Sequence, residues 1–224
     1  MKLNSYTMKY FKFFLILIGC VLLSCTATKP LTSTVKPTEV TDIKLLEPYS
    51  YISMIKKGNR GEVDDSISAI SKQVNINILK SMSGQLPISG DIILDDSSVN
   101  ESLEKEFEYL ILAADKNKSI TNLSITPTLD RVLELNSARF GLIVVCTGFT
   151  RVHGNYAKEI VKGAAMGILT LGMYYQTPIK AYSTIYAMIA DSQENNIAFS
   201  RKSFLQNKDP LDQKVLNSPY KKIF

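Results

Sequence analysis

The chain is poor in the residues that most site chemistry requires. Its 224 residues include one histidine, His153, and three cysteines, Cys20, Cys25 and Cys146. A single histidine leaves no two-histidine metal site. Cys146 and His153 lie seven apart on an extended segment, which turns them to opposite faces and disfavours a nucleophile–base pair. No Gly-x-Ser-x-Gly elbow occurs. The glycines of Gly163 to Tyr175 match no dinucleotide fingerprint, and no Lys-Ser or Lys-Thr pair directly follows them as a phosphate loop requires. A carboxylate pair stays open, because two acids need no sequence signature. Apolar runs are short too: Phe13 to Leu23 falls below the about 20 residues of a membrane-spanning helix.

The N-terminal stretch is more informative. Lys2, Lys9 and Lys12 lead into the apolar block Phe13 to Leu23, which ends at Ser24 and Cys25. Charge, short apolar core, small residue and cysteine, in that order, resemble a bacterial lipoprotein signal peptide. The resemblance implies cleavage before Cys25, a diacylglycerol on its thiol, and a mature chain hung from a membrane by lipid. Cys20 competes for this role. Leu17-Ile18-Gly19-Cys20 fits the usual residue types slightly better than Leu22-Leu23-Ser24-Cys25, but it would leave Val21-Leu22-Leu23 at the mature terminus; Cys25 is preferred. Met8 is a plausible alternative start. The rival, a transmembrane anchor, needs polar Ser24, Cys25 and Thr26 inside the span. No acidic cluster follows Cys25, which favours an outer-membrane lipoprotein facing the periplasm.

Charge and cysteine follow from that cut. Residues 1–24 carry three lysines and no acid, so the formal +5 of the whole chain falls to 23 basic against 21 acidic residues. That balance supports neither a nucleic-acid footprint nor a polybasic membrane patch. With Cys20 removed and Cys25 acylated, Cys146 alone remains and no intrachain disulfide forms. The expected organisation is a signal peptide over 1–24, a lipidated cysteine and Thr-, Lys- and Pro-rich tether over 25–44, and one domain over 45–224.

Within that domain, Tyr49 to Lys56 suits a strand, and Gly58 and Gly61 turn the chain. Asp64 or Asp65 caps a helix whose stripe is Ile67, Ile70, Val74, Ile78 and Met82, unless Asn75 and Asn77 shorten it. Ile92-Ile93-Leu94 reads as a short strand. Ser98 and Glu101 suggest a capping box for a helix carrying Leu103, Phe107, Leu110 and Ala114, with Glu101, Glu104, Glu106 and Glu108 on a solvated face. Thr126-Pro127 opens a helix with Leu129, Val132, Leu133 and Leu135 inward. Phe140 to Cys146, bounded by Gly148, reads as a central strand covered on both faces, with Cys146 a buried inert thiol. Ala181 to Ala190 is a strand with Ser183, Ile185, Ala187 and Ile189 on one face; Asp191 to Asn196 turns it into a hairpin. Asp209-Pro210 begins a last helix that Pro219 should end.

Gly163 to Tyr175 carries no charge and is rich in Gly and Ala. It is either a tightly packed helix or hairpin arm, or an exposed apolar patch for a partner chain, with Gly163, Met166, Gly167, Leu171 and Gly172 as candidate contacts. Gly141-Leu142-Ile143-Val144-Val145, this Gly-rich insert, a strand ending at Asp191, a turn, Ile197-Ala198-Phe199 and a closing Asp209-Pro210 helix resemble small envelope lipoproteins. These are similar to the curli-secretion lipoprotein and the amino-terminal domain of the Tol translocation protein. The similarity covers roughly the last 100 residues; Glu194-Asn195-Asn196 replaces the usual Thr-Gly at the hairpin turn. It implies a domain that works by assembly with other envelope proteins.

The expectation is therefore an α/β (α+β) domain, a small mixed or antiparallel sheet packed by helices. It is expected to be a lipid-anchored, non-enzymatic envelope protein, with no cofactor, metal or nucleic-acid partner. Its partners would be the membrane, through the N-terminal lipid, and envelope proteins or further copies of itself. The alternative is a periplasmic ligand-binding or hydrolytic lipoprotein.

Overall fold

The structure, a computed structural model, describes residues 32–94, 96–116, 120, 123–174 and 177–224. Cys20, Cys25, Tyr175 and the signal peptide lie outside the described residues. The strands are β1 (Thr32–Ser33), β2 (Ile43–Leu46), β3 (Tyr49–Lys57), β4 (Arg60–Val63), β5 (Ile88–Ile92), β6 (Phe140–Arg151), β7 (Tyr182–Asp191) and β8 (Asn196–Gln206). The α-helices are α1 (Asp65–Ser81), α2 (Ser97–Lys116), α3 (Pro127–Leu135), α4 (Asn155–Leu169) and α5 (Gln213–Ile223).

One mixed eight-stranded sheet is built around β6, in the order β1-β8-β7-β6-β2-β5. β7 runs antiparallel along β6 from Phe140–Asp191 to Phe149–Tyr182. The opposite edge of β6 is shared: β2 lies parallel to its first residues and β3 parallel to Val145–Arg151. Between β2 and β3 stands Pro48, which has no N–H to offer a ladder. β5 extends the sheet beyond β2 in parallel, and β4 folds back on β3.

Alternate residues of β6 feed two cores. Phe140, Leu142, Val144 and Cys146 pack with Ile78 and Leu79 of α1 and Leu216 and Tyr220 of α5. Ile143 and Val145 pack with Leu103, Phe107 and Leu110 of α2 and Leu129 and Leu133 of α3. This period of two across a doubly covered strand makes β6 read as a continuous apolar run. The expected mixed α/β architecture is thus observed, with helices on both faces.

Several local expectations change. Gly148 does not end the central strand, which continues to Arg151; a Cβ there would meet the Tyr182 carbonyl oxygen at 2.1 Å, so glycine permits the close approach of β7. On α1, Ile70 is 51% exposed while Ser71 and Asn75 are buried, so the inward stripe is rotated. Asn75 does not shorten the helix, because its amide donates to the Ser71 carbonyl at 2.8 Å and its oxygen accepts from the Tyr220 hydroxyl. Leu135 is exposed at the end of α3. The short strand near Leu94 sits earlier, at Ile88–Ile92.

Caps also differ from the expected pattern. Asp64 does cap α1, accepting from Ile67 N at 3.2 Å. At α2, however, Asp96 accepts from Ser98 N at 2.8 Å, replacing the Ser98–Glu101 box. The last helix begins after Asp212, and Pro219 lies inside it, buried with Leu216 and Tyr220. Tertiary packing there outweighs the lost backbone hydrogen bond. The fold also takes in part of the expected tether: β1 pairs with β8, and Ile43 is buried before residue 45.

Candidate functional site

The candidate groups for catalysis are placed apart. Cys146 is fully buried beneath α1, and burial pushes its thiol up to about 11 despite hydrogen bonds with Ser71 and Asn75. Such a thiol stays protonated and unreactive. His153 lies beyond the end of β6 and is exposed, so the two are not brought together. Among the described residues, no three His, Cys, Asp or Glu gather as a metal site.

The acids of α2, expected on a solvated face, partly serve structure. Glu106 accepts from Thr128 N and Leu129 N, both at 3.1 Å, and so caps α3 from a neighbouring helix. Glu104 accepts from the Tyr51 hydroxyl at 2.7 Å. Burial, followed by the nearby Glu104 and Glu47 charges, pushes the Tyr49 hydroxyl up to about 12. Tyr51 is raised as well, first by burial and then by its bond to Glu104. Beside them is a cleft of about 400 Å³ lined by Tyr49, Tyr51, Phe107, Val145, Glu104 and Glu108, among others. The sequence offered no signal for it, since its walls come from four distant segments.

The most unusual surface is α4 and the turn after it. The helix touches the fold along a narrow stripe, with Tyr156, Ile160, Gly163 and Gly167 half-buried at three- and four-residue spacing; of its residues only Asn155 is buried. Glu159, Ala164 and Thr170 flank that stripe half-buried, and the large apolar side chains beyond it face out. Val161 is 67% exposed, Met166 45%, Ile168 77%, Leu169 79%, Leu171 91% and Met173 87%. Each large side chain left in water forgoes about 1.5–3 kcal/mol of burial. Of the candidate contacts, Met166, Leu171 and Gly172 are therefore exposed, while Gly163 and Gly167 are half-buried.

The end of α4 is closed on itself. Gly172 N donates to Gly167 O at 2.7 Å, Leu171 N to Ile168 O at 3.2 Å and Met173 N to Thr170 O at 3.0 Å. The Thr170 hydroxyl donates to Met166 O at 2.8 Å and accepts from Tyr174 N at 3.1 Å. This resembles a helix-ending motif in which a left-handed residue lets the chain turn back and satisfy the last carbonyls. The left-handed residue is usually glycine, yet here Leu171 has φ 51° ahead of Gly172 at 83°. A leucine in that conformation costs about 1–2 kcal/mol. Among the described residues, no helix is long and apolar enough to cross a membrane.

No protein-family model matches the chain. No curated protein matches it either. Among solved structures it is similar to a PelC dodecamer from Paraburkholderia phytofirmans in space group P6, with TM-score 0.34 and 12% identity over 84% of this chain and 94% of that one. A point variant of the same dodecamer in space group C2 gives TM-score 0.31 and 11% identity over 79% and 86% of the two chains. At these values the likeness does not extend to a residue-by-residue correspondence.

Proposed function

We propose that this is a lipid-anchored, non-enzymatic protein of the cell envelope, held to the outer membrane through Cys25 and facing the periplasm. Its folded domain works by binding or assembling with other envelope proteins, as the sequence resemblance to small secretion and translocation lipoproteins implies. The observation that carries this reading is the uncharged segment from Gly163 to Tyr174, which keeps its large apolar side chains in water although helices cover both faces of the sheet. Exposed apolar surface of this kind marks an interaction site. Val161 and Met166 on the shaft of α4 are the side chains offered to a protein partner.

The test is light scattering on the full chain extracted from membranes in mild detergent. The expected particle contains several chains, or this chain with a partner, and Met166→Asp reduces it to folded monomers. A wild-type protein that is monomeric throughout would contradict assembly. A second reading, a periplasmic ligand-binding lipoprotein, is favoured by the cleft between α2 and β3, where Tyr49, Tyr51, Glu104 and Glu108 combine apolar walls with polar groups.

A further inference from the structure

We infer that the tip of α4, from Ile168 to Tyr174, is seated in the lipid bilayer beside the N-terminal anchor, so that the domain holds the membrane at two points. The inference rests on the lipid anchoring proposed above and names what the tip contacts. Its first support is the distribution of exposure. A helix face that docks on a protein is apolar on one side, but here the exposed apolar side chains run from Ile168 and Leu169 at the helix end through Leu171 and Met173 of the chain reversal, with Gly167 and Thr170 half-buried between and beside them. A flat partner would cover one side of such a knob. A medium that surrounds it, such as the acyl region of a bilayer, covers all of it, and an interfacial element enters about 5–10 Å.

The second support is the backbone. A chain end entering hydrocarbon must satisfy its own polar groups. For the donors this is done locally: the N–H groups of Leu171, Gly172, Met173 and Tyr174 all have partners between Gly167 and Thr170, and the Thr170 hydroxyl donates to Met166 O. The left-handed Leu171 fits the same picture: where glycine would be easier, a leucine projects its side chain 91% into solvent. Along the sequence the nearest charges are Lys162 and Lys180. Lysines so placed can keep their ammonium groups at the headgroup level while the tip goes deeper.

The third support is the direction of the chain. β1 is antiparallel to β8, with Thr32 opposite Ser200 and Ser33 opposite Phe199. Going backward from Thr32 therefore means moving along β8 toward Gln206, which pairs with Tyr182. That end of the sheet is where β6 leads into α4 and where the segment after α4 returns to β7. Seven residue steps separate Cys25 from Thr32, a reach of about 23–25 Å when extended. The six steps from Ser200 to Gln206 span about 20 Å. A lipid on Cys25 is thus within reach of the end of the sheet from which α4 departs and to which the chain returns after the tip.

The chain has no tryptophan, so Met173→Trp in the full-length, processed protein supplies a single reporter at an exposed position. The protein is reconstituted in vesicles of phosphatidylethanolamine and phosphatidylglycerol, with and without lipids brominated in the acyl chain. The expected result is co-flotation with the vesicles, blue-shifted emission and strong quenching by the brominated lipid. Flotation with water-like, unquenched emission overturns the tip contact and leaves the anchor standing. A blue shift without bromolipid quenching assigns the tip to a protein partner and overturns the inference as well. A protein that fails to float overturns the anchoring and the inference together. Leu171→Glu, added to Met173→Trp, is the companion variant: it is expected to float through its lipid while bromolipid quenching of the introduced indole is lost.

Discussion

At the residue scale, Cys146 shows how burial turns a reactive group into a structural one. It sits under Ser71 and Asn75 in the core between β6 and α1, with no nearby cation among the described residues to hold a thiolate. A consequence appears at high pH. The unfolded chain releases the thiol proton above about 8.5, whereas the folded chain keeps it to about 11. In that window the native state binds more protons, so stability falls as pH rises, by about 1.4 kcal/mol per pH unit. Urea unfolding followed from pH 8 to 10 should show that slope in the natural chain and a flatter one in Cys146→Ala. Above pH 10 the buried Tyr220 hydroxyl, also raised by burial, steepens the loss in both. Equal slopes in the two chains below pH 10 would contradict the assignment to Cys146.

At the element scale, most strands and helices were legible because their sequence periods match their surroundings. β6 reads as doubly covered and is; the β7–β8 hairpin turns where Asp191 to Asn196 stands, with Asp191 accepting from Gln193 N at 3.0 Å and bound by Arg139 at 2.9 Å. What periodicity misses are contributions from other elements. Glu106 reads as one of four surface acids, yet it supplies the cap that Thr126 does not make for α3. Glu106→Ala should therefore destabilise the fold by about 1.5–3 kcal/mol, the scale of a hydrogen bond to a charged group. Glu101→Ala, at an exposed position on the same helix, should change it by less than about 0.5 kcal/mol. Chemical denaturation of the two variants makes the comparison. The α4 segment was ambiguous for a different reason: an uncharged run of Gly, Ala and large apolar residues has the same composition in a core as in an exposed apolar patch. Only the three-dimensional placement of Gly163 and Gly167 inward and Leu171 and Met173 outward distinguishes them.

At the scale of the whole molecule, the architecture sorts its apolar surface into three destinations. Two cores close against the faces of the sheet, and the third set, on α4 and the turn after it, stays exposed. The sequence predicted the α/β class, but not the chain's course: β1 lies in what reads as tether, and this two-residue pairing joins Thr32 and Ser33 to the edge of the sheet along β8. The measurement that tests the account most directly is the mass of the N-terminal peptide of the protein extracted from membranes. The account predicts a chain beginning at Cys25 that carries a diacylglycerol on its thiol. An unlipidated terminus, or an intact chain retaining Lys2, Lys9 and Lys12, would contradict it.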